Sequence, residues 1–232
     1  MIIMTELEAI YARHSVRRYS LEPVGKEALD TLRAEMEKCN SEGNLHIQLV
    51  TDEPKAFSGI MSYGSFSGVL NYFVMAGPKD DGLDGRIGYY GEKLVLLARQ
   101  LGLNTCWVGL TYRKVSGTYE LENGEKIVCY IALGHGVTDG VAHKVKSPEE
   151  VSNVSAYTPE WFRKGVEAAL LAPTAINQQK FRIEFREGEN GTLPAVSLRV
   201  AGVSLAGYTK VDLGIVRRHF EIGAGTDNFI WA

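Results

Sequence analysis

The feature that most constrains this chain is a repeated order of structural signals. Residues 36–49, MEKCNSEGNLHIQL, and 170–185, LLAPTAINQQKFRIEF, both read as a helix end, a polar turn and an alternating strand. Residues 88–107, GYYGEKLVLLARQLGLNTCW, and 210–231, KVDLGIVRRHFEIGAGTDNFIW, both read as a helix stopping at glycine and a strand containing tryptophan. Two matches in the same order point to a degenerate duplication. The expected fold is α+β, with two similar halves packed like a two-fold dimer within one chain. The first half is placed at 1–150 and the second, shorter half at 151–232.

Local signals fill in this frame. Thr5 and Glu8 form the T-x-x-E pattern of a capping box, and Leu7, Ile10 and Tyr11 then share a helical face. A second helix is expected from about 26 to 39 and a third from about 86 to 101, ending at Gly102. Strands are expected at 45–51, 69–76 and 127–134. Residues 147–161 read as a polar connector, after which Pro159 at the first helical position starts a helix running to 172. The strand FRIEF (181–185), an acidic turn at 187–191, the strand AVSLRVA and a helix at about 210–221 complete the chain.

Composition narrows the function classes. A net charge of −3 and a pI near 6.0 leave no electrostatic footprint for nucleic acid. Three separated cysteines and five scattered histidines support neither a disulfide framework nor a dedicated metal site. No signal-peptide pattern and no apolar run of membrane-span length appear, so the expected setting is the reducing cytoplasm.

Four segments carry candidate chemistry. In Arg13-His14-Ser15-Val16-Arg17, extended backbone would turn positions 13, 15 and 17 the same way. Two guanidinium forks and a hydroxyl then suit a phosphate dianion; a solvated basic face is the plain alternative. Lys144 and Lys146, two apart after a Gly-rich turn, offer a second cationic wall or an ordinary connector. In Asn104–Leu110, Gly109 lets a planar ligand approach the backbone; the alternative is a buried strand start. In Pro173-Thr174-Ala175-Ile176-Asn177-Gln178-Gln179, small residues and amides suit the polar edge of a flat ligand; a plain loop is the alternative.

Together these segments resemble the FMN-dependent nitroreductase family. Its R-x-S-x-R motif reads here as Arg13-His14-Ser15-Val16-Arg17, and its P-S-S-x-N-Q loop as Pro173–Gln179. Its G-L-G-x-x-W turn reads as Gly102-Leu103-Asn104-Thr105-Cys106-Trp107, and its K-x-R-x-P as Lys144-Val145-Lys146-Ser147-Pro148. One departure is informative. The family's loop lies between the first motif and the central helix, where this chain has only Glu37-Lys38-Cys39-Asn40-Ser41. The good copy stands in the second half, which lacks an R-x-S-x-R. Such complementary losses resemble a single-chain pseudo-dimer that keeps one of two flavin sites.

The resemblance implies an FMN cofactor and a nitroreductase-like oxidoreductase. NAD(P)H would deliver hydride to flavin N5, and a nitro compound, quinone or similar small molecule would accept the electrons. Arg13, Ser15, Arg17, Lys144 and Lys146 would hold the phosphate, with His14 beside them. Trp107, Val108, Gly109 and Leu110 would line the ring, the last two through backbone N–H groups. Pro173, Thr174, Ala175 and Asn177 would cover it from the other half. No side chain is assigned a catalytic role, since the flavin carries the chemistry. Rival readings are a flavin carrier or sensor without turnover, and a fold that has lost its cofactor. Neither nucleic acid nor membrane is an expected partner, and a monomeric pseudo-dimer and a homodimer both stay open.

Overall fold

The computed structural model describes residues 4–58, 66–189, 191–204 and 206–232. Helix α1 (Glu6–Ala12) opens the described chain, and its capping box is formed: Thr5 caps Glu8 while the Glu8 carboxylate returns to Thr5. Ala9 and Ile10 are its buried positions, whereas Leu7 and Tyr11 are exposed. The apolar face is therefore narrower than the spacing implied, because only one side of this short helix meets the protein.

After α1 the order helix, strand, strand, helix, strand occurs twice. The first set is α2 (Lys26–Gly43), β1 (Gln48–Val50), β2 (Asn71–Pro78), α3 (Leu83–Gln100) and β3 (Asn104–Val108). Strand β4 (Glu125–Gly134) and the short helix α4 (Pro148–Val151) intervene. The second set is α5 (Glu160–Leu170), β5 (Phe181–Arg186), β6 (Ala195–Val200), α6 (Thr209–Ala224) and β7 (Ile230–Trp231). The connector at 147–161 thus holds a helix that its polar composition hid, capped by Ser147 and Glu150. Pro159 is the N-cap of α5 rather than its first residue; its carbonyl accepts from Phe162 and Arg163. The acidic turn at 187–191 lies partly outside the described residues.

Two sheets result. The first has the order β1-β2-β4-β3 with every neighbouring pair antiparallel, so β2 and β3 run parallel and α3 is the crossover between them. The second has the order β5-β6-β7, with β5 antiparallel and β7 parallel to β6, and α6 is its crossover. In the first sheet β4 is inserted between the parallel strands. In the second, β7 lies directly against β6.

Strand β2 and the second half of β4 are buried on both faces, and period-2 alternation divides them between two cores. Phe73, Met75, Ile131 and Leu133 pack under α2 and α3. Tyr72, Val74, Tyr130 and Ala132 pack on the opposite face with Phe57, Phe66 and Tyr19. The second sheet packs Phe181, Ile183 and Val196 against Phe162, Val166, Ile215 and Phe220 of α5 and α6. A smaller cluster of Ala9, Ile10, Leu96 and Ala168 joins α1, α3 and α5.

Helices α3 and α6 meet at their backbones. A Cβ on Gly88 would lie 2.0 Å from the Val211 carbonyl oxygen, and one on Gly214 would lie 2.1 Å from that of Gly85. Each glycine meets the carbonyl three positions before the other, which is the reciprocity of a two-fold contact. Any larger residue here forces the helices apart. We expect Gly88→Ala to cost about 3 kcal/mol, the upper range for overpacking, in urea unfolding. Gly25→Ala, at an open position with φ of −60°, should change stability by less than about 0.5 kcal/mol.

Candidate functional site

Between the first sheet and the N-terminal part of α6, beside the helix crossing, lies a cavity of about 460 Å³. Four chain segments build most of its walls, with Cys129 and residues 140–143 completing them. After α1 the backbone turns extended at Arg13. The Val16 N–H then donates to the Thr105 carbonyl at 3.0 Å, and the Ser67 N–H donates to that of Arg17 at 3.0 Å. Val16 and Tyr19 are buried in the core beneath, and Ser15 and Arg17 line the cavity. The alternation read from the motif therefore holds for positions 15 and 17.

Arg13 is different. It is 6% exposed and does not line the cavity. Its Nη1 reaches the Leu171 carbonyl at 3.5 Å, and its Nε is buried without a hydrogen-bond partner. Burial pulls its guanidinium below the usual arginine range, opposed by the negative side of Glu92. Among the described residues neither Arg13 nor Arg17 forms an ion pair. His14 is half-buried, does not line the cavity, and is lowered by burial and then by the Arg13 charge.

The second wall is the end of β3, where Trp107, Val108 and Gly109 line the cavity and Leu110 turns outward, 76% exposed. Trp107 is fixed by two features. Its ring packs over Gly91, whose Cβ would lie 2.4 Å from Cη2. Its indole N–H donates to Glu92 Oε2 at 3.0 Å, and Glu92 Oε1 lies 2.8 Å from His219 Nε2. His219 Nδ1 lies 3.0 Å from the Ala168 carbonyl, and both Glu92 and His219 are fully buried. This chain of polar contacts ties β3, α3, α6 and α5 together, and no local sequence signal announces it.

Pro173, Thr174, Ala175 and Asn177 form the third wall. After α5 the backbone makes a tight turn in which Ile176, Asn177 and Gln179 all adopt left-handed φ angles of 44–55°. None of the three is glycine, so the turn is strained and must be held by its surroundings. Lys144 and Lys146 are among the anchors. The Lys144 carbonyl accepts from Asn177 Nδ2 and Gln179 Nε2, each at 2.8 Å. Lys146 donates through its N–H to Gln179 Oε1 and through Nζ to the Gln179 carbonyl, each at 2.9 Å. Neither lysine lines the cavity. The expected second cationic wall is a clamp on the loop, and His143 faces the cavity in its place, with Nε2 3.1 Å from the Leu170 carbonyl. Burial holds His143 below the usual histidine range.

Residues from α6 close the fourth side, and the motifs did not point to them. Tyr208 caps this helix with φ of 59° and donates its hydroxyl to the Gly109 carbonyl at 2.7 Å. Its ring lies where a Cβ on Gly109 would sit. Asp212, 5% exposed, accepts from the Ala175 N–H at 2.9 Å and from Gln178 Nε2 at 2.6 Å. Burial pushes its carboxyl up to about 6, against the lowering effect of those two donors. An acidic residue in the first turn of a helix is so common that neither position nor type marks it as a loop anchor. Cys106 and Cys129 also face the cavity, but burial raises both thiols, which keeps them protonated.

The family model described as "Putative TM nitroreductase" matches residues 6–224. The chain belongs to this nitroreductase family. A "putative nitroreductase" from Thermotoga maritima has the same fold, with 22% identity, a TM-score of 0.63, and coverage of 96% of this chain and 85% of that one. A nitroreductase-like protein from Streptococcus mutans aligns at 14% identity and a TM-score of 0.53, over 64% of this chain and 97% of that one. The NfrA1 nitroreductase of Bacillus subtilis aligns at 16% identity and a TM-score of 0.50, over 66% of this chain and 74% of that one. No curated protein matches the sequence. Among the described residues no helix is long and apolar enough to cross a membrane.

The Asp212 anchor gives a pH-dependent prediction. Its folded value of about 6 is above the ordinary Asp value of about 3.9. The folded state therefore favours the protonated form. That stabilisation is complete below the ordinary value and is lost as pH rises through about 6. Urea unfolding from pH 4 to 8 should show the parent protein losing stability relative to Asp212→Asn across roughly pH 4–6. Parallel curves would remove Asp212 as the titrating anchor.

Proposed function

We propose that this nitroreductase-family protein is an FMN-dependent oxidoreductase. Its reductant would be NAD(P)H, and its acceptor a nitro compound, quinone or similar small molecule. The observation that carries this reading is a cavity wall of Ser15 and Arg17 without a carboxylate partner, backed by the buried guanidinium of Arg13, which forms no ion pair among the described residues and whose Nε has no hydrogen-bond partner. A buried cation without an anion is costly, and a ligand phosphate would relieve that cost.

The residues present fit the group. A cavity of about 460 Å³ is within the range of small-molecule and cofactor sites. Ser15 and Arg17 would take the phosphate as donors. Arg13, from behind, would raise the positive potential without direct contact. Trp107, Val108 and Gly109 would form one wall for the ring, and Pro173, Thr174, Ala175 and Asn177 the other. When bound, FMN supplies the hydride and electron transfer. The chain's own part is to position, to exclude water and to fix the walls. The Glu92–His219 contact holds Trp107 in place, and Asp212, Lys144 and Lys146 hold the covering loop.

We also propose that the chain is an internal pseudo-dimer, with one half ending and the other beginning near residue 150. The reciprocal Gly88 and Gly214 contact and the repeated element order support this. The flavin wall would then combine Ser15, Arg17 and Trp107 from one half with Pro173–Asn177 from the other. A contact that joins two subunits in ordinary dimers would lie inside one chain, and a monomer would suffice.

A flavin carrier without turnover is the second reading. Tyr208 supports it, since its ring covers Gly109 and would shield a flavin packed on the Trp107–Val108 wall from a second substrate arriving on that side. Purified protein mixed with FMN and desalted should keep a flavin absorbance spectrum. Arg17→Ala should weaken binding by about 10- to 100-fold, the worth of one charge-assisted contact. Loss of flavin from the parent protein would overturn the cofactor assignment. Anaerobic bleaching of retained flavin by NADH or NADPH would support the oxidoreductase, and failure with both would favour the carrier.

A further inference from the structure

Reduction of a quinone takes up two electrons and two protons. A hydride carries both electrons and one proton, so the oxidoreductase reading above leaves one proton to be supplied at the acceptor. Among the described lining residues of the cavity the titratable side chains are Arg17, Cys106, Cys129, His143, Tyr208 and Asp212. Burial raises both thiols and the Tyr208 phenol, which hold their protons at neutral pH. An arginine side chain does not release its proton in proteins. Burial lowers His143, against its contact with the Leu170 carbonyl, so its imidazole is neutral at neutral pH. Asp212 is the one carboxyl in this set.

Two features of geometry place that carboxyl for the task. It sits where the two walls proposed for the flavin ring meet. Its Oδ1 accepts from the Ala175 N–H of the covering loop at 2.9 Å. Its own N–H donates to the Tyr208 carbonyl one turn back, at 2.9 Å, and the Tyr208 hydroxyl donates to the Gly109 carbonyl of the opposite wall. The carboxyl also meets only donors among the described residues. Oδ2 accepts from Gln178 Nε2 at 2.6 Å, and Gln178 offers that nitrogen because its Oε1 accepts from the Ser204 hydroxyl, also at 2.6 Å. A proton on Asp212 therefore finds no protein acceptor. A carboxylate has about four lone-pair sites; the two donors leave the others free, and the space they share is the cavity.

We propose that Asp212 is a catalytic residue, the donor of the second proton to the acceptor; this rests on the oxidoreductase reading. Its O–H bond breaks as an O–H bond forms on the acceptor, which has received both electrons with the hydride and leaves as the quinol. The carboxylate then takes a proton back from solvent. Burial, which pushes the Asp212 carboxyl up to about 6, keeps the donor form present into the mildly acidic range. No charged side chain pairs with Asp212 among the described residues. Asp84 of α3 faces Tyr208 and is paired with Lys126. Arg86 of α3 and Lys210 of α6 line a separate cavity, with Arg86 forked onto Asp80. Asp212 thus has two tasks: its acceptor sites hold the loop, and its proton serves the reaction.

The test uses the full chain loaded with FMN, reduced by dithionite without oxygen and mixed with 2-methyl-1,4-naphthoquinone or with ferricyanide, which takes up an electron and no proton. At each pH the quinone rate is divided by the ferricyanide rate. In the parent protein this ratio should hold below pH about 6 and fall roughly 10-fold per pH unit above it. Asp212→Asn should lower the ratio by about 100-fold on the acid side and remove the fall. Loss of a loop anchor alone slows both acceptors together and leaves the ratio as it was. In the flavin-free protein, infrared titration should show a carboxyl that loses its proton near pH 6 and is missing from Asp212→Asn. A flat ratio in the parent, an unchanged ratio in Asp212→Asn, or no such carboxyl would overturn the proposal, and the first of these needs no variant. A chain that keeps no flavin overturns the oxidoreductase reading and the proposal with it; a chain that keeps flavin and gives one of those three results overturns the proposal alone.

Discussion

Two glycines let the backbones of α3 and α6 touch, and most of the structure follows from that contact. Side chains at Gly88 and Gly214 would have to occupy the space of carbonyl oxygens. With none present, the helices approach closely enough for Glu92 and His219, one turn further along, to meet in a fully buried pair. Glu92 also receives the Trp107 indole, so the wall of the cavity is set by the same approach. On α6, Tyr208, Val211, Asp212 and Ile215 are then aimed into the cavity. The site is a product of the helix crossing, and its two sides come from stretches far apart in sequence.

The loop at 173–179 shows how such a site is held. Three non-glycine residues in left-handed backbone cost of order 1–3 kcal/mol each, and the turn must be imposed from outside. Lys146, which donates to the loop, and the Lys144 carbonyl and Asp212 carboxylate, which accept from it, do so. Of the two lysines that resemble phosphate ligands in the sequence, Lys146 thus spends its ammonium on geometry, and Lys144 holds the loop through its backbone carbonyl. What remains to meet an anion is Ser15 and Arg17 at the wall and the unpaired charge of Arg13 behind. A site with few direct cations and a buried, unpaired one depends on low dielectric and on the ligand's own charge.

Much of the fold was legible because it is written in local periodicity. Helices expected at about 26–39 and 86–101 lie at 26–43 and 83–100, and strands expected at 69–76 and 127–134 lie at 71–78 and 125–134. The Thr5–Glu8 box and the alternation of Ser15 with Val16 and Arg17 were equally local. What failed to show depends on distant partners. The inward turn of Arg13, the outward turn of Leu110 and the fate of Lys146 are decided by Leu171, by the edge of β3 and by Gln179. Asp212 and Tyr208 looked like ordinary helix-start residues, and only the loop and Gly109 across the cavity give them a role.

The cavity beside the helix crossing is proposed to grip a phosphate through Ser15 and Arg17. Comparing the affinities of FMN and riboflavin, which differ only in that phosphate, tests it most directly, in the parent protein and in Arg17→Ala. FMN should bind at least about 10-fold more tightly than riboflavin, and the gap should shrink in Arg17→Ala. Equal affinity for the two flavins in the parent protein would contradict it.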